Sequence, residues 1–166
     1  KEKKNLKKIK KILIFTDYNF QFAKFQIDLL LSTNFYKNNN QKIKFIIKEH
    51  PASFGKISSC IDSNIEFTDA NMSDLINKHD IFIAPFTSAV AIYLYYSSKP
   101  FILTRYYSGL EPSIFRDFKN VSLVSNSKEL DLIFDSIINE DYSTINMPKI
   151  LDTNHKLLKW IRLLKS

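Results

Sequence analysis

At 166 residues with 45% hydrophobic content, the chain can bury one substantial core and is too short for two domains of ordinary size. Its formal charge of +7 is concentrated at one end: residues 1–11 carry seven Lys and one Glu, whereas from Ile12 onward 17 Lys and Arg face 16 Asp and Glu. The near-neutral body argues against a general nucleic-acid surface, the single Cys60 excludes an internal disulfide framework and suits a reducing cytoplasm, and no apolar run is long enough to span a bilayer.

Residues 1–10 form a basic lead or linker, and residues 11–166 a single domain. The lead has no apolar core of the kind a secretory signal needs, and the first residue is Lys, which suggests a piece of a longer chain. A solvated segment is its ordinary reading; peripheral contact with membrane phosphates is the alternative, and nucleic acid is the least favoured partner. With two Gly among 166 residues, any phosphate site must do without a glycine-rich loop.

The run Lys11–Thr16 predicts a buried first strand, and Asp17-Tyr18-Asn19 turns the chain. From Phe20 to Thr33, Phe22, Phe25, Leu29 and Leu30 share one helical face, with Gln21, Lys24, Gln26 and Asp28 mostly on the other. Residues 34–41, with three consecutive Asn, read as a polar loop. A second strand over 42–48 runs into Glu49-His50-Pro51-Ala52-Ser53, and a third covers 64–68. Ser73 is positioned to cap a short helix ending at His79.

The stretch from Asp80 to Leu103 reads as strand, helix and strand, the pattern of a parallel crossover. Residues 104–118 are irregular, with Gly109 and Pro112 as punctuation; a last strand follows at 121–124. A helix over 127–138, with Ser127 as its cap and Leu130, Ile133, Phe134 and Ile137 on one face, and a basic amphipathic helix over 151–164 complete the chain. Strands alternating with helices of this length predict an α/β three-layer fold, with a mostly parallel sheet of about six strands.

In such sheets, ligands bind at the carboxyl ends of strands. His50 stands at one such end, and Pro51 biases it toward an extended backbone. Its imidazole can donate to a phosphate or sugar oxygen, act as acid or base, or simply bond a backbone group of its own loop. Thr87, Ser88 and Ala89 stand at the next joint, where hydroxyls and backbone N–H groups can face an anion or serve as an ordinary helix cap. Arg105, Tyr106, Glu111, Ser113 and Arg116 follow the succeeding strand; Glu111 can accept from a sugar hydroxyl pair or be a solvated charge. His79 and His155 have no partners at metal-ligand spacing, so no metal site is expected.

The segment Phe45-Ile46-Ile47-Lys48-Glu49-His50-Pro51, the crossover with Thr87-Ser88-Ala89, and Leu110-Glu111-Pro112-Ser113-Ile114-Phe115-Arg116 before the 121–130 region together resemble the C-terminal half of GT-B glycosyltransferases. The likeness is greatest to bacterial surface-carbohydrate biosynthesis proteins, where Lys-Pro-His-Pro ends a strand ahead of a Thr-Ser or Ser-Ser helix start. Here Glu49 stands in place of the Pro before the His, and Ser98 where Gly is common. The resemblance covers about residues 11–138. It implies a Rossmann-like domain that binds a nucleotide-sugar donor opposite an N-terminal acceptor-binding half absent from this chain.

On that resemblance His50 is the catalytic candidate, and His50, Pro51, Thr87, Ser88, Ala89, Arg105, Glu111 and Ser113 bind the donor. His50 and the Ser88 and Ala89 N–H groups then stabilise charge on the departing nucleoside diphosphate, with no metal or other cofactor required. The implied setting is surface polysaccharide or lipopolysaccharide assembly in the cytoplasm, with membrane association as a variant. An isolated half is expected to bind donor weakly and to turn over nothing. The alternative is a non-catalytic α/β interaction or regulatory module.

Overall fold

The structure, a computed structural model, describes residues 9–61, 65–86, 89–96, 99–106 and 122–138. Short apolar runs form the strands β1 (Lys11–Phe15), β2 (Lys44–Lys48), β3 (Glu66–Phe67), β4 (Ile81–Pro85), β5 (Phe101–Thr104) and β6 (Ser122–Val124). They make one sheet in the order β3-β2-β1-β4-β5-β6, with every neighbouring pair parallel. Parallel strands are covered on both faces, which is why β1, β4 and β5 are continuously apolar rather than alternating.

The pleat sends alternate side chains to opposite layers. Ile12, Ile14, Phe45, Ile47, Ile81, Ile83 and Ile102 pack on one face, against α1 (Phe20–Ser32), α2 (Asn34–Asn39) and α5 (Ser127–Ile138). On the other face Leu13, Phe15, Ile46, Phe82, Ala84 and Leu103 meet Leu75 of α3 (Met72–Lys78) and Ala91 and Leu94 of α4 (Val90–Tyr96). The result is the expected Rossmann-like α/β fold in three layers.

Residues 34–39 depart from the expected loop: they form α2. Their polar composition is overridden by tertiary partners. The Asp131 carboxylate on α5 accepts the Asn34 and Phe35 N–H groups at 3.0 and 2.9 Å, and the Thr33 hydroxyl accepts that of Tyr36 at 3.1 Å. Phe35 stacks on Phe134 with ring centroids 4.1 Å apart, which anchors the turn in the core. Two caps also move. Asn71, not Ser73, precedes α3, and Asn126, not Ser127, caps the start of α5, its side-chain oxygen accepting the Glu129 N–H at 3.0 Å.

Gln26 also departs from its expected place. It lies on the buried side of α1 with 2% of its surface exposed, among Ala23, Ile27, Leu29 and Leu30, rather than on the polar side. The third strand is two residues long, shorter than the run over 64–68. The expected helix over 151–164, the start of the basic lead and the 107–121 segment lie outside the described residues.

Candidate functional site

Strands β1 and β4 are neighbours, but the helices that follow them cover opposite faces of the sheet. The chain leaves the two carboxyl ends in opposite directions and opens a crevice between them, the switch point at which doubly wound folds bind ligands. Sheet order then fixes which loops border it: the one after β2 adjoins on the β1 side, and the one after β5 on the β4 side.

The first loop is made rigid by short polar side chains. The Asp17 carboxylate accepts the Asn19 N–H at 2.8 Å, and the Asn19 side chain accepts those of Gln21 at 2.9 Å and Phe22 at 3.4 Å, capping α1. Asp17 is buried, whereas Tyr18 between them is exposed. Thr16 links this loop to the next, its hydroxyl accepting the His50 N–H at 2.8 Å.

His50 is held from several sides. Its carbonyl accepts the Ser53 N–H at 2.9 Å, and the buried Ser53 hydroxyl donates at 3.2 Å to the Asp17 carbonyl. Its ring Nδ1 accepts the Ala52 N–H at 3.1 Å, capping the single helical turn Pro51–Ser53. A neutral imidazole that accepts at Nδ1 carries its proton on Nε2. The loop bond therefore fixes the tautomer, leaving an N–H donor on an exposed ring whose centroid lies 6.3 Å from that of Tyr18, the two rings meeting edge-on. The structural role and the donor role coexist in one side chain.

Glu49 was legible only as a departure from the Lys-Pro-His-Pro pattern, and the structure gives it a function. Its buried carboxylate accepts the N–H groups of Gly55 at 2.7 Å, Ile57 at 2.8 Å and Ser58 at 3.0 Å. Gly55 has φ +76°, a conformation that costs a side-chain-bearing residue and lets the loop fold back onto this carboxylate. Beside it lies a cleft of about 310 Å³ lined by Glu49, Phe54, Gly55, Ser58, Phe67, Thr68 and Asp69. Phe54 is 68% exposed and Phe67 38%, so two aromatic surfaces and the Asp69 residue face open space at the ends of β2 and β3. Phe54 directly before Gly55, one of only two glycines in the chain, is the sequence signal of this turn.

On the β4 side, Ala89 is exposed and accepts the Ile92 N–H at 3.1 Å ahead of α4. Thr87, Ser88, Glu111 and Ser113 lie outside the described residues. After β5, the Arg105 N–H bonds the Val124 carbonyl at 2.9 Å, and the Tyr106 ring stacks on Phe22 of α1 at 4.6 Å. A small cleft lies between these residues and α1, lined by Asp17, Phe22, Phe25, Gln26, Pro85, Phe86, Thr104, Arg105 and Tyr106. His50, Pro51, Ala89 and Arg105 thus share one sheet edge. With strands about 4.8 Å apart, the backbones at His50 and Arg105 are separated by roughly 14 Å, a span that an extended ligand can bridge.

No family model matches the chain, and no curated protein matches it. Solved structures do. The chain is similar to the glycosyltransferase SnogD from Streptomyces nogalater, at a TM-score of 0.55 and 10% identity over 92% of this chain and 44% of that one. It is similar to the wall teichoic acid polymerase TagF at 0.51 and 18% identity, over 91% and 44%. KpsC of Thermosulfurimonas dismutans, a beta Kdo 2,7 transferase, aligns at 0.49 and 16% identity over 72% and 40%. The chain spans less than half the length of each of these proteins. At these identities the likeness shows the fold: a GT-B-like Rossmann domain. No helix among the described residues is long and apolar enough to cross a membrane.

Proposed function

We propose that this chain is the nucleotide-sugar-binding domain of a glycosyltransferase acting in surface polysaccharide or lipopolysaccharide assembly. The observation that carries the reading is His50: an exposed imidazole with its tautomer set by the Ala52 N–H, on the loop that adjoins the β1 side of the sheet's switch point. A donor there suits the oxygens of a diphosphate, whose negative charge grows as the glycosyl bond breaks. Thr87, Ser88 and Ala89 add the second set of phosphate contacts, and Arg105, Glu111 and Ser113 contact the sugar side. The cleft between β2 and β3 adds two aromatic surfaces suited to the flat face of a base or sugar ring.

GT-B neighbours more than twice as long support a second, acceptor-binding half that completes the reaction. The domain works at the cytoplasmic side, with the basic lead available for contact with anionic lipid. Two-dimensional NMR titration with UDP-glucose, GDP-mannose and CMP-sialic acid tests the proposal. Shifts clustered at His50, Pro51 neighbours, Ala89 and Arg105 are expected with one of them. Absence of any shift at millimolar concentration sinks the donor-site reading and leaves the interaction module in its place.

A further inference from the structure

Gln26 is the anomaly in the core. Only 2% of its surface is exposed, and among the described residues neither the amide nitrogen nor the amide oxygen has a hydrogen-bond partner. Burying an unpartnered carboxamide is costly, so natural cores avoid it unless something outside the chain completes the bonding. Apolar residues of the same size would fill α1 without that cost. Gln26 lines the small cleft at the carboxyl ends of β1, β4 and β5, together with Asp17, Phe22, Phe25, Thr104, Arg105 and Tyr106. The cleft holds about 10 Å³, room for one water-sized group.

We propose that Gln26 forms the floor of a subsite for a single hydroxyl of the bound sugar. A carboxamide both donates and accepts, and a hydroxyl is the water-sized group that answers both. Residues of α1 thereby take part in reading which sugar is present, separately from the diphosphate contact at His50. The inference rests on the donor-binding reading above.

The test follows the Gln26 side-chain amide resonances of the full chain during titration with UDP-glucose, GDP-mannose and CMP-sialic acid, each beside its free nucleotide. The Gln26→Met variant identifies those resonances and keeps the side-chain volume. The nucleotide sugar that binds is expected to shift the Gln26 amide, and its nucleotide alone is not. Gln26→Met is expected to weaken that sugar's binding about tenfold or more, to leave the free nucleotide's affinity unchanged, and not to lower Tm, since no internal bond is lost. Equal sugar affinity in wild type and variant overturns the subsite while the donor reading stands, as does an amide that never shifts, the result expected if it meets only a trapped water. Failure of the wild-type chain to bind any of the three overturns both.

Discussion

The Glu49 carboxylate accepts the Ile57 N–H at 2.8 Å, across eight residues of chain, while the Ile57 side chain is fully buried in the core on the α1 face. One residue thus ties the His50 loop at both its polar and its apolar ends. Glu49→Ala strands the N–H groups of Gly55, Ile57 and Ser58 together, and should cost about 3 kcal/mol of unfolding free energy. Urea denaturation measures this. Glu49→Gln, which keeps one acceptor oxygen, should lose less, and equal losses in the two variants would show that charge rather than bonding dominates.

His50 separates stability from binding. Its ring is exposed and makes one bond within the loop, to the Ala52 N–H, so His50→Ala should change stability by less than about 1 kcal/mol. Affinity for whichever nucleotide sugar binds should fall about tenfold, the loss of one hydrogen bond to a charged group. Calorimetric titration of both proteins gives the comparison. A large drop in Tm with unchanged affinity would assign His50 to the loop alone.

The strands were readable because parallel-sheet burial on both faces leaves an unmistakable apolar run, as in Ile81-Phe82-Ile83-Ala84. What sequence could not supply was long-range pairing. The local signal at the start of α2 is the Thr33 cap alone, within an otherwise polar run; the carboxylate that holds the Asn34 and Phe35 N–H groups is nearly a hundred residues away on α5. Gln26 departs from its expected face for a related reason: a polar side chain implies solvent exposure, and only the packing of α1 on the sheet reveals an amide held in the core. Of the candidate site, the strand-end positions of His50 and Arg105 followed from the pattern. The tautomer of His50 and the cleft walled by Phe54 and Phe67 depended on how the 49–58 loop folds back on Glu49.

Asp131 tests that long-range cap. Asp131→Ala removes the acceptor for two N–H groups at the start of α2, together with a negative charge at the helix's positive end, and should cost about 1 kcal/mol. The loss should be local. Amide exchange is expected to accelerate across residues 34–39 while β1 and β4 keep their protection, and uniform acceleration through the sheet would contradict the assignment.

His79 makes stability depend on pH. It is buried after α3 with Nδ1 2.6 Å from the Leu75 carbonyl, so Nδ1 holds the proton and Nε2 is an unprotonated acceptor with no partner among the described residues. Burial is the leading cause that lowers its pKa below the ordinary 6.5; the Leu75 carbonyl and Asp80 oppose the shift, and Lys11 and Lys99 reinforce it. Because the folded pKa is the lower one, the unfolded chain takes up this proton first. Stability is then full above about pH 6.5 and declines as pH falls toward the folded value. The Lys99 side chain, bonded to the Ile76 and His79 carbonyls at 2.7 Å each, opposes a second cation beside it. Urea midpoints measured from pH 8 to pH 5 should fall for the native chain and fall less for His79→Met, which retains volume without titrating. Parallel slopes in the two proteins would move the dependence to other groups.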